Sequence, residues 1–257
     1  MEALQARIES FAKAKRVKNP AKPSSTITLK WPHPAHFTAT PESLAEAGFY
    51  FNPSLEDRDN VTCYMCDKQL SDWEAQDDPF DIHWEKRGVK CCWAAVRCGL
   101  RGDMDRHGAF IFPDKSRLPS SNAMERSRLE TFCAGDGWMH DQDATHGANS
   151  RKMARAGFVY TPQHAGDDLA TCLYCNVSLS GWEADDDPVE EHRKRQSKHS
   201  SGPCPFFTST DASSKPPSRS QSTKPPSTAK PPASRQSRRC LHLQTTTQRT
   251  LRPHEDT

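Results

Sequence analysis

The spacing of the cysteines and one histidine constrains this chain more than any other feature. Positions 63–91 read Cys63-x2-Cys66-x16-His83, followed by Cys91. Sliding the sequence along itself until Cys63 meets Cys172 brings the same pattern back without a gap: Cys172-x2-Cys175-x16-His192, followed by Cys204. Gly48, Phe49, Trp73, Asp77 and Pro79 meet Gly157, Phe158, Trp182, Asp186 and Pro188 in the same register. A spacing that recurs in register is the mark of a duplicated structural unit. Three thiolates and one imidazole complete the tetrahedral sphere of a structural zinc ion and leave no position for substrate, which argues against a metal hydrolase.

Three rival readings of these cysteines, as disulfides, as a thiol nucleophile and as a nucleic-acid finger, are weaker. The N-terminal stretch MEALQARIESFAKAKRVKNP has no apolar signal-peptide core, so cytosol or nucleus is expected, where thiols stay reduced. A nucleophilic cysteine would not need a second, identically spaced set. Two-Cys, two-His nucleic-acid fingers use an x12 spacing between their Cys and His pairs, so x16 disfavours them. The adjacent Cys92 raises a register question. Cys91 is preferred, because Cys91-Cys92-Trp93 then matches Cys204-Pro205-Phe206 as Cys-x-aromatic. His199 competes with His192, and the repeat register favours His192. Cys92, Cys98, Cys133 and Cys240 are left over as buried or idle thiols.

The expected organisation is a first copy over 5–97, a linker over 98–124, a second copy over 125–208, and a disordered Pro/Ser/Lys/Arg-rich tail over 209–257. KPPS recurs at 215 and 224 and KPPA follows at 230, in a stretch too poor in aliphatic residues to offset its ordering entropy by burial. From 206 to 257 there are nine Lys/Arg against three acids, a net of +6; with +2 for the whole chain, about −4 remains for the rest. The tail is therefore a candidate for weak, salt-dependent contact with DNA phosphate.

Local signals place the ligands. Thr40-Pro41 reads as an N-cap with Pro at the first helical position and Gly48 as the stop; Ser150 to Gly157 is the matching helix. FYFNP and FVYTP start strands, each CxxC lies on a turn between short strands, and Asp78-Pro79 and Asp187-Pro188 cap the helices that carry His83 and His192. His33, His36, His107, His140 and His146 fall in polar loops, where solvent exposure is the default. No Ser-His-Asp order, phosphate loop or catalytic carboxylate pair stands outside the repeat, so no enzyme is expected.

In both copies Gly-Phe, Cys-x2-Cys, Leu-x2-Trp-Glu, Asp-Asp-Pro-x3-His and Cys-x-aromatic together resemble the baculoviral inhibitor-of-apoptosis repeat, or BIR domain. The tandem arrangement, with an elongated loop between Phe11 and Trp31, looks most like fungal survivin-like proteins. The resemblance implies an α+β fold, a three-stranded antiparallel sheet with short helices and one Cys3His zinc per copy, hence two structural Zn2+ ions. It also implies a groove for the N-terminal peptides of other proteins, held by Trp73 and Asp77 in the first copy and Trp182 and Asp186 in the second. Survivin-type reading of a phosphorylated histone H3 tail uses two further basic positions, Lys68 and Lys86 here; the second copy has Val177 and Arg195.

The implied function is a chromosomal passenger component acting in mitosis, with passenger-complex subunits as partners, in the nucleus on chromosome and spindle and in the cytoplasm, and without membrane association. The alternative is an inhibitor of apoptosis proteins that binds caspase-like proteases or their N-terminal-Ala antagonists. A ubiquitin ligase of the family would need eight further Cys/His ligands in a RING, for which the four spare cysteines do not suffice. No apolar periodicity follows Phe207, where survivin has a long partner-binding helix.

Overall fold

The computed structural model describes residues 1–22, 24–199 and 202–209, with no side-chain detail for 197–199. The tail beyond Ser209, with its expected disorder and Cys240, lies outside the described residues. Both copies belong to one compact unit, and each is an α+β fold around a small antiparallel sheet. No described helix is long and apolar enough to cross a membrane.

The first copy opens with α1 (Leu4–Ala12), followed by a hairpin of β1 (Lys15–Lys18) and β2 (Thr26–Leu29). Helix α2 (Pro41–Glu46) starts at Thr40, whose hydroxyl accepts from the Ser43 N–H at 3.2 Å. Strands β3 (Phe49–Phe51), β4 (Val61–Cys63) and β5 (Gln69–Leu70) form the sheet in sequence order. Asp78 caps α3 (Pro79–Arg87), and α4 (Cys92–Val96) closes the copy.

The second copy repeats this plan: α5 (Asn122–Thr131), α6 (Ser150–Arg155), a sheet of β6 (Val159–Tyr160), β7 (Ala170–Cys172) and β8 (Val177–Leu179), then α7 (Pro188–His199) and α8 (Pro205–Thr208).

The likeness of the copies persists at the level of single hydrogen bonds. Arg7 Nε donates to the Ala45 carbonyl and Arg128 Nε to the Ala154 carbonyl, both at 2.8 Å. Each arginine is almost fully buried, with its guanidinium over an aromatic ring, Tyr64 at 4.4 Å and Phe206 at 5.4 Å. Gly48 and Gly157 follow α2 and α6 with φ of +100° and +92°. A Cβ at either position would also come within 2.6 Å of Trp93 or 2.7 Å of Phe206. Glycine is therefore required twice over, for its backbone angle and for the aromatic that follows the last cysteine.

One sheet edge is closed in each copy. Ser10 of α1 accepts the Phe51 N–H at 2.8 Å, and Thr131 of α5 accepts the Tyr160 N–H at 3.0 Å. The outer edges, β5 and β8, pair with no further strand among the described residues.

The segment between the copies is ordered and largely packed. Asp103 and Arg117 form a buried bidentate pair, with Nε to Oδ1 at 2.7 Å and Nη2 to Oδ2 at 2.6 Å, and Arg117 also reaches the Ala95 carbonyl at 3.0 Å. Phe110 and Phe112 pack on Tyr174 of the second copy. The first N–H groups of a helix lack partners within it. Those of Leu4 and Gln5 donate instead to the carbonyls of Pro162 and Gln163, at 2.9 and 3.1 Å.

Candidate metal centres and peptide groove

The strand–turn–strand of β4 and β5 delivers Cys63 and Cys66 to one point, and Asp78 with Pro79 starts α3 so that His83 faces inward one turn later. Cys91 arrives from the opposite side, just before α4. The donor atoms of Cys63, Cys66, His83 and Cys91 all lie within 4.8 Å of one another, as do those of Cys172, Cys175, His192 and Cys204.

The distances distinguish the chemistries. Cys63 Sγ is 3.9 Å from Cys91 Sγ, and Cys172 Sγ is 3.8 Å from Cys204 Sγ. A disulfide would require about 2.05 Å, whereas a tetrahedron with Zn–S bonds of about 2.3 Å has S···S edges of about 3.8 Å. The imidazoles complete the sets, with Nε2 3.8 Å from Cys66 Sγ and 3.2 Å from Cys175 Sγ. Each ring's other nitrogen, Nδ1, lies 2.8 Å from a backbone carbonyl, Ala47 or Ala156. That bond fixes the tautomer that leaves Nε2 free to ligate.

Electrostatics supports the same assignment. Burial holds the Cys63 and Cys172 thiols well above their ordinary value, reinforced by hydrogen bonds from the other two cysteines of each set. Cys66 and Cys175 are driven far below it by hydrogen bonds from those same partners. In each set one sulfur, Cys66 or Cys175, thus takes the negative charge while its partner Cys63 or Cys172 resists, as expected when anions would share so small a volume. A dication removes that resistance, so both donor sets suit zinc. Such an ion supplies structural cross-linking only, because the four protein ligands fill its coordination sphere.

All eight expected ligands are brought together. Cys92 is buried beside the first set and outside it, and Cys98 lies under His83, its Sγ 3.7 Å from Nδ1.

The residues expected in the groove are more dispersed. Trp73 and Trp182 are core side chains, 5% and 6% exposed, and in both the indole N–H is buried without a hydrogen-bond partner. Asp77 and Asp186 are half-buried, and each accepts a backbone N–H from earlier in its loop, that of Glu74 at 2.9 Å and that of Glu183 at 2.8 Å. They therefore shape the loop as well as charge it, a duty the sequence pattern did not reveal. Lys68 stands just before β5, and Lys86 sits in the last turn of α3 with its ammonium 2.9 Å from Glu85. In the second copy Val177 is buried, and Arg195 lies 3.8 Å from Glu191.

The expectation of solvent exposure fails for three histidines. His33 Nε2 is 2.8 Å from Asp59 Oδ2, and His140 Nε2 is 3.1 Å from Asp168 Oδ2; all four side chains are largely shielded. His146 is buried and stacked on His140, with ring centroids 4.3 Å apart. Asp59 accepts the N–H groups of Asp72 and Trp73 at 3.0 and 2.9 Å, and Asp168 those of Gly181 and Trp182 at 2.8 and 2.9 Å. A His–Asp pair thus holds the loop that carries each tryptophan. Asp59 meets Asp168 in the register that aligns Cys63 with Cys172, and Trp31-x-His33 matches Trp138-x-His140, so the repeat contained the signal.

Comparison with known proteins agrees with this geometry. The family model described as the Inhibitor of Apoptosis domain, BIR, matches residues 7–95 and 128–208. The chain is 36% identical over 195 residues to the chromosomal passenger complex protein bir1 of Schizosaccharomyces pombe, covering 74% of this chain and 17% of that protein. It is 32% identical over 173 residues to baculoviral IAP repeat-containing protein 7 of Xenopus tropicalis, covering 64% of this chain and 43% of the relative. It is 29% identical over 185 residues to the E3 ubiquitin-protein ligase XIAP of Rattus norvegicus, covering 69% of this chain and 34% of that protein. The chain thus spans less than half the length of each of these relatives. With two family-model matches and two zinc-binding Cys3His clusters, this chain belongs to the BIR, or Inhibitor of Apoptosis domain, family.

Proposed function

We propose that this protein reads the N-terminal tails of other proteins as a survivin-like chromosomal passenger component, acting on chromosomes in mitosis through binding rather than catalysis. One observation carries the binding mode: among the described residues each sheet has one edge closed by a helix and one edge open, and the open edge lies next to an acid-rich tryptophan loop. A peptide strand added to such an edge gains backbone hydrogen bonds, and a carboxylate near its end sets the register by holding the terminal ammonium. Asp77 and Asp186 are the carboxylates assigned here, with Trp73 and Trp182 packed in the core beneath the same loops.

The first copy is the phosphate reader in this proposal. Lys68 and Lys86 are the basic residues assigned to that role, whereas the second copy has a buried valine at the position of Lys68. Support for the passenger setting comes from the likeness to the fission yeast passenger-complex protein, and with it a nuclear, chromosomal location and passenger subunits as partners.

The test is a binding series on the full chain using histone H3-tail peptides with free or acetylated N-termini, with and without phosphothreonine. Acetylation is expected to weaken binding by roughly tenfold or more through loss of a charge-assisted contact. Phosphate is expected to strengthen binding in a way that Lys68→Ala with Lys86→Ala removes. Equal affinity for free and acetylated peptides would sink the terminus reading, and equal affinity with and without phosphate would sink the phosphate reading. Preferential capture of a caspase-like protease or an Ala-first antagonist peptide would favour the family's inhibitory role instead.

A further inference from the structure

The two copies differ most between the aromatic that ends their first helix and the tryptophan that packs on it. Phe11 meets Trp31 edge-on at 5.1 Å, and Phe132 meets Trp138 edge-on at 5.0 Å, so the pairing is the same in both. The chain between Phe11 and Trp31 is far longer than that between Phe132 and Trp138. The extra chain forms the β1–β2 hairpin, which has no counterpart among the described residues of the second copy.

The hairpin has two unlike faces. Its register pairs Arg16 with Thr28 and Lys18 with Thr26, and these four residues form an exposed face. Val17, Ile27 and Leu29 lie on the other, more buried face. Between Glu9 and Glu42 there are six Lys/Arg and no acid. Lys13 pairs with Glu9 at 2.7 Å, while Arg16, Lys18, Lys22 and Lys30 are exposed and have no acidic partner among the described residues. Such a concentration of like charge leaves an uncompensated positive potential along the ribbon.

The shape and chemistry of this face select a class of partner. Four-residue strands make a ribbon about 14 Å long with strands about 4.8 Å apart, and a two-stranded ribbon fits the duplex major groove of about 12 Å width. Arginine, lysine and threonine are phosphate-contacting side chains. A peptide added as a further strand would be selected by pockets for its alternate side chains, and the outward face presents only cations and threonines. We propose that the β1–β2 ribbon is a nucleic-acid-binding arm that sets Arg16, Lys18 and Lys22 against the phosphates of duplex DNA. The arm acts independently of both peptide grooves and in addition to any contact made by the basic tail.

The test measures affinity of the full chain for a labelled mixed-sequence DNA duplex of about 30 base pairs as salt rises from about 50 to about 200 mM. Replacing Arg16, Lys18 and Lys22 together with Ala is expected to weaken binding roughly tenfold or more near 100 mM salt and to flatten the log–log salt slope by about 3. A second full-length variant, Lys215→Ala with Lys224→Ala and Lys230→Ala, measures the tail's share by the same readout. Two zinc ions retained per chain confirm that the ribbon variant is folded. A slope unchanged by the ribbon substitutions overturns the proposal, whatever the tail variant does. Polyglutamate of equal charge displacing the ribbon-dependent binding as well as unlabelled DNA does would also overturn it, in favour of an acidic protein surface.

Discussion

Asp59 and Asp168 do more for the tryptophan loops than the residues expected to form the groove. Burial alone would raise the pKa of each, but hydrogen bonds from His33 and from the Trp73 and Asp72 N–H groups hold the Asp59 carboxyl below the ordinary carboxylate range. The Gly181 and Trp182 N–H groups and His140 do the same for Asp168. A carboxylate depressed on folding adds stability above its unfolded value, about pH 4, and loses it as pH falls through the folded value. Asp59→Asn should therefore cost about 2 kcal/mol near neutral pH, with the gap from the parent closing below about pH 4. Urea midpoints measured across pH would show this, and a gap constant with pH would refute it. These residues escaped sequence reading because a loop histidine is exposed by default, and its partner lies 26 or 28 positions away. The zinc ligands were legible because their spacing is written along the chain and occurs twice.

Among elements, the segment from 98 to 124 departs furthest from what its composition suggests. A stretch rich in Arg, Asp, Gly and Ser reads as solvated, yet Asp103 and Arg117 are 1% and 6% exposed, and a Cβ at Gly99 would fall 2.7 Å from the Arg117 guanidinium. Pattern reading assigns charge to solvent and has no means of pairing two charges 14 positions apart. Removing one member of a buried pair strands the other, so Arg117→Met should destabilise by about 3 to 5 kcal/mol. Adding Asp103→Leu should recover much of that loss, as measured by urea unfolding. The α2 and α3 starts, the glycine stops and the CxxC turns were readable in advance, because capping and turn chemistry act within a few residues. The metal elements carry a different prediction: Cys66→Ser should reduce bound zinc from two per chain to one by elemental analysis. Two retained ions would contradict the assigned ligand set.

At the level of the whole described molecule, the copies are joined by more than a tether. The first turn of α1 donates to the loop after β6, and Phe110 and Phe112 seat the connecting segment against Tyr174. Phe112→Ala should cost about 3 kcal/mol, and Phe110→Ala with Phe112→Ala should split thermal unfolding into two steps. Calorimetry would detect the separation, and a single unchanged transition would mean that the contacts do not couple the copies. None of this was visible from the repeat, which describes what the halves share and is silent about where they touch.

The outer strands are very short, two residues in β5 and three in β8. A visitor zipped onto so brief a ladder gains only a few rungs, and lengthening it inward adds nothing the sheet can grip. On the proposed binding mode, recognition would be spent almost wholly on the first few residues of the guest, and each copy would read chain ends rather than sequences. The same brevity protects the protein from itself, since two such stubs meeting edge to edge have too little backbone to hold together.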